Sequence, residues 1–270
     1  MTPRHTPRKR FGQHFLHEQG VIDRIVAAVE PRANEAVLEI GPGEGALTER
    51  LLASGVHVTA VEVDRDLARQ LRERFGGWPF HLVEADVLRL SLVDLAEQGQ
   101  PFRVVANLPY NISTPVMFQL LDSISVITDL HLMVQKEVAE RLSAGPGIRQ
   151  YGRLGVMAAV HGQVQRLFDV APGAFRPPPK VTSSVIRITP HADPLVGPAL
   201  MPAFSALVKR CFSQRRKTLR RILSGTVGTD QLQALGLDPS ARPETLSVKQ
   251  FRDLSQALHR AAGVTHSCCG

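Results

Sequence analysis

The stretch Val37-Leu38-Glu39-Ile40-Gly41-Pro42-Gly43-Glu44-Gly45 joins a short apolar run to a glycine-rich turn, and helical spacing begins near Ala46. A strand that breaks into a helix through glycines is the opening unit of a parallel α/β sheet. Glycines belong there because the turn is tight and a ligand must touch the backbone, where any Cβ would collide. The same residues also satisfy the pattern G-x-G-x-x-A, so a nicotinamide or flavin dinucleotide site and a plain glycine-rich turn are open alternatives at this point.

Outward from this turn, short apolar runs alternate with helical stretches as far as Ile188. That alternation predicts an α/β fold with a mostly parallel sheet. Strands are expected at 36–40, 57–63, 81–85, 103–106, 129–135, 156–165 and 183–189. Leu47, Leu51 and Leu52 form one helical face, Leu67, Leu71 and Phe75 another, and Val116, Phe118, Leu120 and Leu121 a third. Loop-like sequence joins the last two strands, so the sheet is expected to end in an antiparallel hairpin. After Pro190 the character changes. Residues 191–202 are rich in proline, and 203–223, 229–235 and 247–262 read as three helices. The expected organisation is therefore a domain over 1–190, with a basic arm over 1–17, and a smaller α-helical domain over 191–270.

Acids stand at successive strand ends. Glu62 lies about 20 residues beyond the glycine turn, where a carboxylate can accept both ribose hydroxyls. Asp86, followed by Val87, ends the third strand and can accept from an adenine amine. Glu39 lies beside Gly41 and Gly43, placed to meet a positive amino group or its waters. An adenosine with a zwitterionic tail suits three acids and no phosphate-binding cation, which favours S-adenosyl-L-methionine over a dinucleotide. The bland reading of each single acid is a helix cap or a solvated strand end.

The fourth strand leads into Asn107-Leu108-Pro109-Tyr110. An aromatic amine is a poor nucleophile because its lone pair is delocalised. Two acceptors, the Asn107 side-chain oxygen and the Leu108 carbonyl, can hold such an amine and favour tetrahedral geometry. Pro109 stiffens the turn and Tyr110 can stack on the base. A base inside folded RNA must be flipped out to reach such a pocket. Phe175, in an exposed-looking loop with Arg176, Pro177, Pro178, Pro179 and Lys180, is a candidate for the opposing face, or else a loop anchor.

The formal net charge of +7 is local in origin. Residues 1–190 carry 21 Lys and Arg against 20 Asp and Glu, or +1, and residues 191–270 carry 11 against 5, or +6. Arg8, Lys9 and Arg10 lie in the arm. Lys209, Arg210, Arg215, Arg216, Lys217, Arg220 and Arg221 fall within one predicted helix, where phosphate contact is the natural role and a solvated face the plain one. Cys211, Cys268 and Cys269 offer neither a disulfide framework nor a metal-ligand spacing. No apolar run is long enough to span a membrane and the basic start lacks a secretory signal, so a cytoplasmic protein with no membrane association and no metal is expected.

Taken together, Lys9-Arg10-Phe11-Gly12-Gln13-His14-Phe15-Leu16, the Glu-Ile-Gly-Pro-Gly turn, Asn107-Leu108-Pro109-Tyr110, Gln135-Lys136-Glu137-Val138-Ala139-Glu140-Arg141 and Phe175-Arg176-Pro177-Pro178-Pro179-Lys180-Val181 resemble the small-subunit ribosomal RNA adenine dimethyltransferase family from about Lys9 to Leu258. The resemblance implies a Rossmann-like class I methyltransferase sheet with a smaller helical domain. It also implies N6,N6-dimethylation of two adjacent adenosines in the 3′-terminal hairpin of 16S rRNA, with the assembling small ribosomal subunit as partner. Nothing in the sequence requires more than a monomer, and a monomer is expected. By the same analogy Gln13, His14 and Leu16 join Gly41, Gly43, Glu62, Asp86, Val87 and Asn107 around the cofactor. Rival readings are a methylase of large-subunit rRNA, a ribosome-assembly factor that acts without its chemistry, and a nicotinamide oxidoreductase.

Overall fold

The protein is represented by a computed structural model that describes residues 12–96 and 100–266, with the side chains of 261–266 left aside. The chain forms two compact units. One takes the chain up to Ala139 together with Val164–Pro190; the other takes Glu140–Gln163 and the chain from His191 onward. The division therefore departs from the simple break expected at residue 190, because residues 140–163 belong with the C-terminal unit.

The first unit opens with β1 (Phe15–Leu16) and α1 (Gln19–Val29). The Glu18 carboxylate caps α1 by accepting from the Gly20 and Val21 amides, and Ile22, Ile25 and Val29 turn to the core at helical spacing. Then come β2 (Ala36–Ile40), α2 (Ala46–Ala53), β3 (His57–Glu62), α3 (Arg65–Phe75), β4 (Phe80–Glu84), β5 (Phe102–Asn107), α4 (Ser113–Asp122) and β6 (Ile127–Gln135). The apolar faces read from the sequence are buried in α2 at Leu47, Leu51 and Leu52 and in α3 at Leu67, Leu71 and Phe75. In α4 the buried face is Val116, Met117, Leu120 and Leu121, with Phe118 half-buried. Each fully buried Leu contributes about 1.5–3 kcal/mol. α5 (Lys136–Ser143) follows β6, and β7 (Gly162–Val170), β8 (Phe175–Arg176) and β9 (Ser183–Pro190) come later.

Seven strands form one sheet in the order β4-β3-β2-β5-β6-β9-β7, and β1 pairs with β8 in a second, two-stranded sheet. The steps from β4 through to β6 are parallel and the β6–β9 step is antiparallel. The central strands read as continuous apolar runs because helices cover both faces of a parallel sheet.

The second unit contains α6 (Arg153–His161), α7 (Met201–Ser213), α8 (Leu219–Ile222), α9 (Thr229–Ala234) and α10 (Val248–His266). Tyr151, Phe204 and Phe251 are buried in it, and Phe212 lies edge-on to Tyr151 at 6.0 Å. Two expectations are corrected here. Residues 156–161 are helix, and the strand begins only at Gly162; the run is buried on nearly every side, so it shows no amphipathic period to separate helix from strand. The helix expected over 203–223 breaks after Ser213, where the Lys217 amide donates to the Gln214 carbonyl at 2.8 Å and Thr218 is extended.

Candidate active site

The chain leaves β2 toward β3 on one side of the sheet, while β5, on β2's other side, leads on to β6. A reversal of this kind opens a crevice at the carboxyl ends of the strands. Here it is a cavity of about 230 Å³. Gly41, Gly43 and Gly45 all have positive φ. A Cβ on Gly45 would lie 2.8 Å from the Phe75 ring and one on Gly43 would lie 3.0 Å from Phe15, whereas one on Gly41 would meet no protein atom within 4 Å. The backbone at Gly41 is thus open to a ligand, the cradle that a glycine turn is expected to offer.

Glu62 holds this turn in place. Its carboxylate accepts from the Val63 and Asp64 amides at 2.9 Å and from the Gly43 amide at 3.2 Å. Burial raises its pKa, although those three backbone bonds pull the other way. Glu39 is 2% exposed and accepts from the Thr48 hydroxyl at 2.6 Å. Burial lifts its pKa to about 7, opposed by the Thr48 bond and assisted by the charge of Glu62. Asp86 caps the 3-10 turn over Val87–Arg89 by accepting from the Leu88 amide at 3.0 Å, so its cap role coexists with its place on the cavity wall.

The segment from Gly12 to Leu16 lies across the opposite part of the cavity lining. Several contacts tie it down. β1 pairs with β8, Leu16 opposite Phe175. His14 Nδ1 donates to the Pro177 carbonyl at 2.7 Å, and Gln13 Nε2 donates to Asp64 at 3.4 Å. Asn107 Nδ2 donates to the His14 carbonyl at 3.1 Å, an assignment that leaves Oδ1 as the acceptor end of the amide. The rings of His14 and Tyr110 stack with centroids 5.3 Å apart, and the Tyr110 hydroxyl lies 2.6 Å from Ser183 Oγ. Burial raises the Tyr110 pKa, with the Ser183 bond acting against it.

Three comparisons bear on this arrangement. The family model described as "Ribosomal RNA adenine dimethylase" matches residues 4–260. The chain belongs to the ribosomal RNA adenine dimethylase family. It is 50% identical over 248 residues to the Ribosomal RNA small subunit methyltransferase A of Hahella chejuensis, covering 92% of this chain and 91% of that one. Among solved structures, a dimethyladenosine transferase from Plasmodium falciparum aligns with a TM-score of 0.81 and 26% identity, covering 92% of this chain and 98% of the other. The 23S rRNA methyltransferase ErmE aligns with a TM-score of 0.72 and 28% identity, covering 91% and 99%. The fold is accordingly the Rossmann-like α/β sheet of rRNA methyltransferases, and the activity class of the dimethylase family is rRNA adenine dimethylation.

Within this member of the dimethylase family the structure brings Gln13, His14, Leu16, Glu39, Gly41, Gly43, Glu62, Asp86, Val87, Asn107, Leu108, Pro109 and Tyr110 onto one cavity. Phe175 is not among them. It is 2% exposed and packed in the core with Leu16, which corrects the expectation of an exposed aromatic platform. Its flanking prolines and charges mimic a free loop, while its pairing with β1 is a long-range contact. Arg176 and Lys180 are exposed. Arg8, Lys9 and Arg10 lie outside the described residues. The seven cations expected on one helix do not share one: Lys209 and Arg210 lie in the C-terminal half of α7, Arg215, Arg216 and Lys217 occupy the break, and Arg220 and Arg221 lie in α8. Arg215 is engaged by the Glu244 carboxylate and donates to the Arg149 carbonyl at 2.6 Å. Sequence reasoning passed over Asp64, which caps α3 and meets Gln13, as well as Thr48 and Ser183. An Asp directly before a helix is a readable cap signal; the other two reveal themselves only through packing.

Proposed function

We propose that this protein dimethylates N6 of two adjacent adenosines in the 3′-terminal hairpin of 16S rRNA, using S-adenosyl-L-methionine, in the assembling small subunit. It does so as a cytoplasmic monomer. The observation that carries the reading is the single cavity at the β2/β5 reversal, which holds the glycine turn and its acids together with Asn107-Leu108-Pro109-Tyr110. The 50% identity to proteins named as small-subunit methyltransferases favours this substrate over the 23S RNA named for ErmE. No described helix is long and apolar enough to cross a membrane.

The cofactor supplies an electrophilic methyl group when bound. Gly41, Glu62 and Asp86 are the residues that would hold it, with the open backbone at Gly41 and the two strand-end acids matching an adenosine and its amino-acid tail. The chain's own chemistry is mostly placement. Asn107 Oδ1 and the Leu108 carbonyl accept from the two amine hydrogens, which draws the nitrogen lone pair out of conjugation. The Leu108 amide donates to the Met133 carbonyl at 3.1 Å, so the chain stays paired to the sheet up to Leu108 and the acceptor pair starts from a rigid strand end. Tyr110 offers a ring face to the flipped base. The extra proton on the methylated amine is acidic and leaves to solvent without a strong base. Arg176, Lys180, Arg216, Lys217, Arg220 and Arg221 are exposed cations suited to phosphate contact, along with Lys209 and Arg210.

The test is methyl transfer from radiolabelled S-adenosyl-L-methionine to small subunits lacking the modification, followed by nucleoside analysis. Label in N6,N6-dimethyladenosine of 16S rRNA is expected. Label confined to 23S rRNA would move the protein to the other branch, and subunit binding without label would favour an assembly factor.

A further inference from the structure

Stacking on a base requires only the π-face of a ring, so the hydroxyl of Tyr110 is left without a role in that contact. The structure provides one. Tyr110 is half-buried, and its hydroxyl lies 2.6 Å from the Oγ of Ser183, a residue with 0% exposure. Ser183 is the first residue of β9 and sits opposite Gln135, the last residue of β6. Because β9 runs antiparallel to β6, its start lies at the carboxyl edge of the sheet, where Asn107–Tyr110 emerges from β5. Ser183 is also pinned from both sides along the chain. The Lys136 amide donates to the Thr182 carbonyl at 3.0 Å, and Ser184 Oγ donates to Asp169 at 2.6 Å, a carboxylate that Lys136 Nζ meets at 2.7 Å.

We propose that Ser183 is a positioning residue for the methyl-transfer reaction, tethering the Tyr110 hydroxyl so that the ring is held at a fixed angle for the incoming adenine. A tyrosine side chain has two soft torsions. The stack with His14 limits its tilt, and the bond at its tip stops rotation away from the pocket. A buried serine hydroxyl needs a partner in any case, and this one meets that need with a group from the catalytic loop. The inference rests on the reading of Tyr110 as the base-facing ring.

The experiment compares Ser183→Ala, Tyr110→Phe, the double variant and Tyr110→Ala. Each is assayed for kcat on small subunits lacking the modification and for S-adenosyl-L-methionine affinity by titration. Ser183→Ala and Tyr110→Phe are each expected to lower kcat by about tenfold, the scale of one lost hydrogen bond, with cofactor affinity within about twofold of the parent. The double variant is expected to be no worse than either single one, because both remove the same bond. Losses that multiply in the double variant would overturn the proposal, as would full activity in Tyr110→Phe. If Tyr110→Ala itself keeps the full rate, the base-facing reading fails. If Tyr110→Ala loses activity while Tyr110→Phe and Ser183→Ala do not, Tyr110 keeps its role and only the tether is refuted.

Discussion

At the scale of single residues, Glu39 carries the clearest pH signature. Its folded pKa stands at about 7 against an ordinary 4.5, chiefly through burial. Below about pH 4.5 the group is neutral in both folded and unfolded chains and contributes nothing. As pH rises toward 7 the unfolded chain ionises first, so folding is progressively penalised, and the penalty levels off above about 7. Glu39→Gln keeps an acceptor for Thr48 and removes this penalty. Urea unfolding of the cofactor-free protein is expected to show the variant gaining on the parent between pH 5 and pH 8, by on the order of 3 kcal/mol. A difference that does not change with pH would return Glu39 to an ordinary carboxylate. The position of this acid was legible in the sequence, because a strand followed by glycines announces itself. Its environment was not, since nothing in the chain order says that Thr48 will close over it. Phe175 failed in the opposite sense: proline and charge around it indicated a free loop, and only the pairing with β1 buries it.

At the scale of elements, the parallel strands and the helices between them were readable because period and punctuation agree there. α6 was not, because a helix buried on nearly every side carries no amphipathic period. Gly155 within it is a sensitive point, since a Cβ there would sit 2.7 Å from the Arg141 carbonyl. Alanine normally favours a helix over glycine by about 1 kcal/mol. Gly155→Ala is nevertheless expected to lower stability by about 1–3 kcal/mol in a denaturant titration, because backbone must move to admit the methyl group. An ion-pair cluster joins the starts of β5 and β6 to the middle of β9. Asp129 lies 2.6 Å from Arg103 Nε and 3.1 Å from Arg187, with the His131 ring 3.4 Å away. Burial alone would raise this carboxyl, but His131 and Arg103 outweigh it and hold the pKa at about 2, below the ordinary 3.8. The stabilisation is therefore present above about pH 3.8 and is lost as pH falls through 2. Asp129→Asn leaves Arg103 with Glu35, 3.1 Å away, as its remaining carboxylate and takes from Arg187 the carboxylate it meets, and is expected to cost about 3 kcal/mol at neutral pH. That deficit should shrink in acid, as followed by unfolding at pH 7 and pH 3.

At the scale of the whole molecule, charge is divided as sharply as structure: residues 191–270 supply most of the excess of cations. Arg216, Lys217, Arg220 and Arg221 are exposed, whereas Arg215 is engaged by Glu244 and the Arg149 carbonyl. Reversing the charge of the four exposed residues is expected to weaken RNA binding and flatten its salt dependence, by about 0.7–0.9 in slope for each phosphate no longer neutralised. Binding measured across a salt series checks this, and an unchanged slope would place these side chains away from phosphate. The division of the basic run between α7, the break after it and the short α8 could not be seen from spacing, since helical period continues across the break. Asn107, finally, uses the two ends of one amide differently, its nitrogen on the His14 carbonyl and its oxygen left as an acceptor beside the cavity. A side chain so divided makes the two ligands partners in a thermodynamic cycle. The His14 carbonyl orients the amide whose other end faces the second ligand, and any factor by which one ligand changes the other's affinity is returned in equal measure.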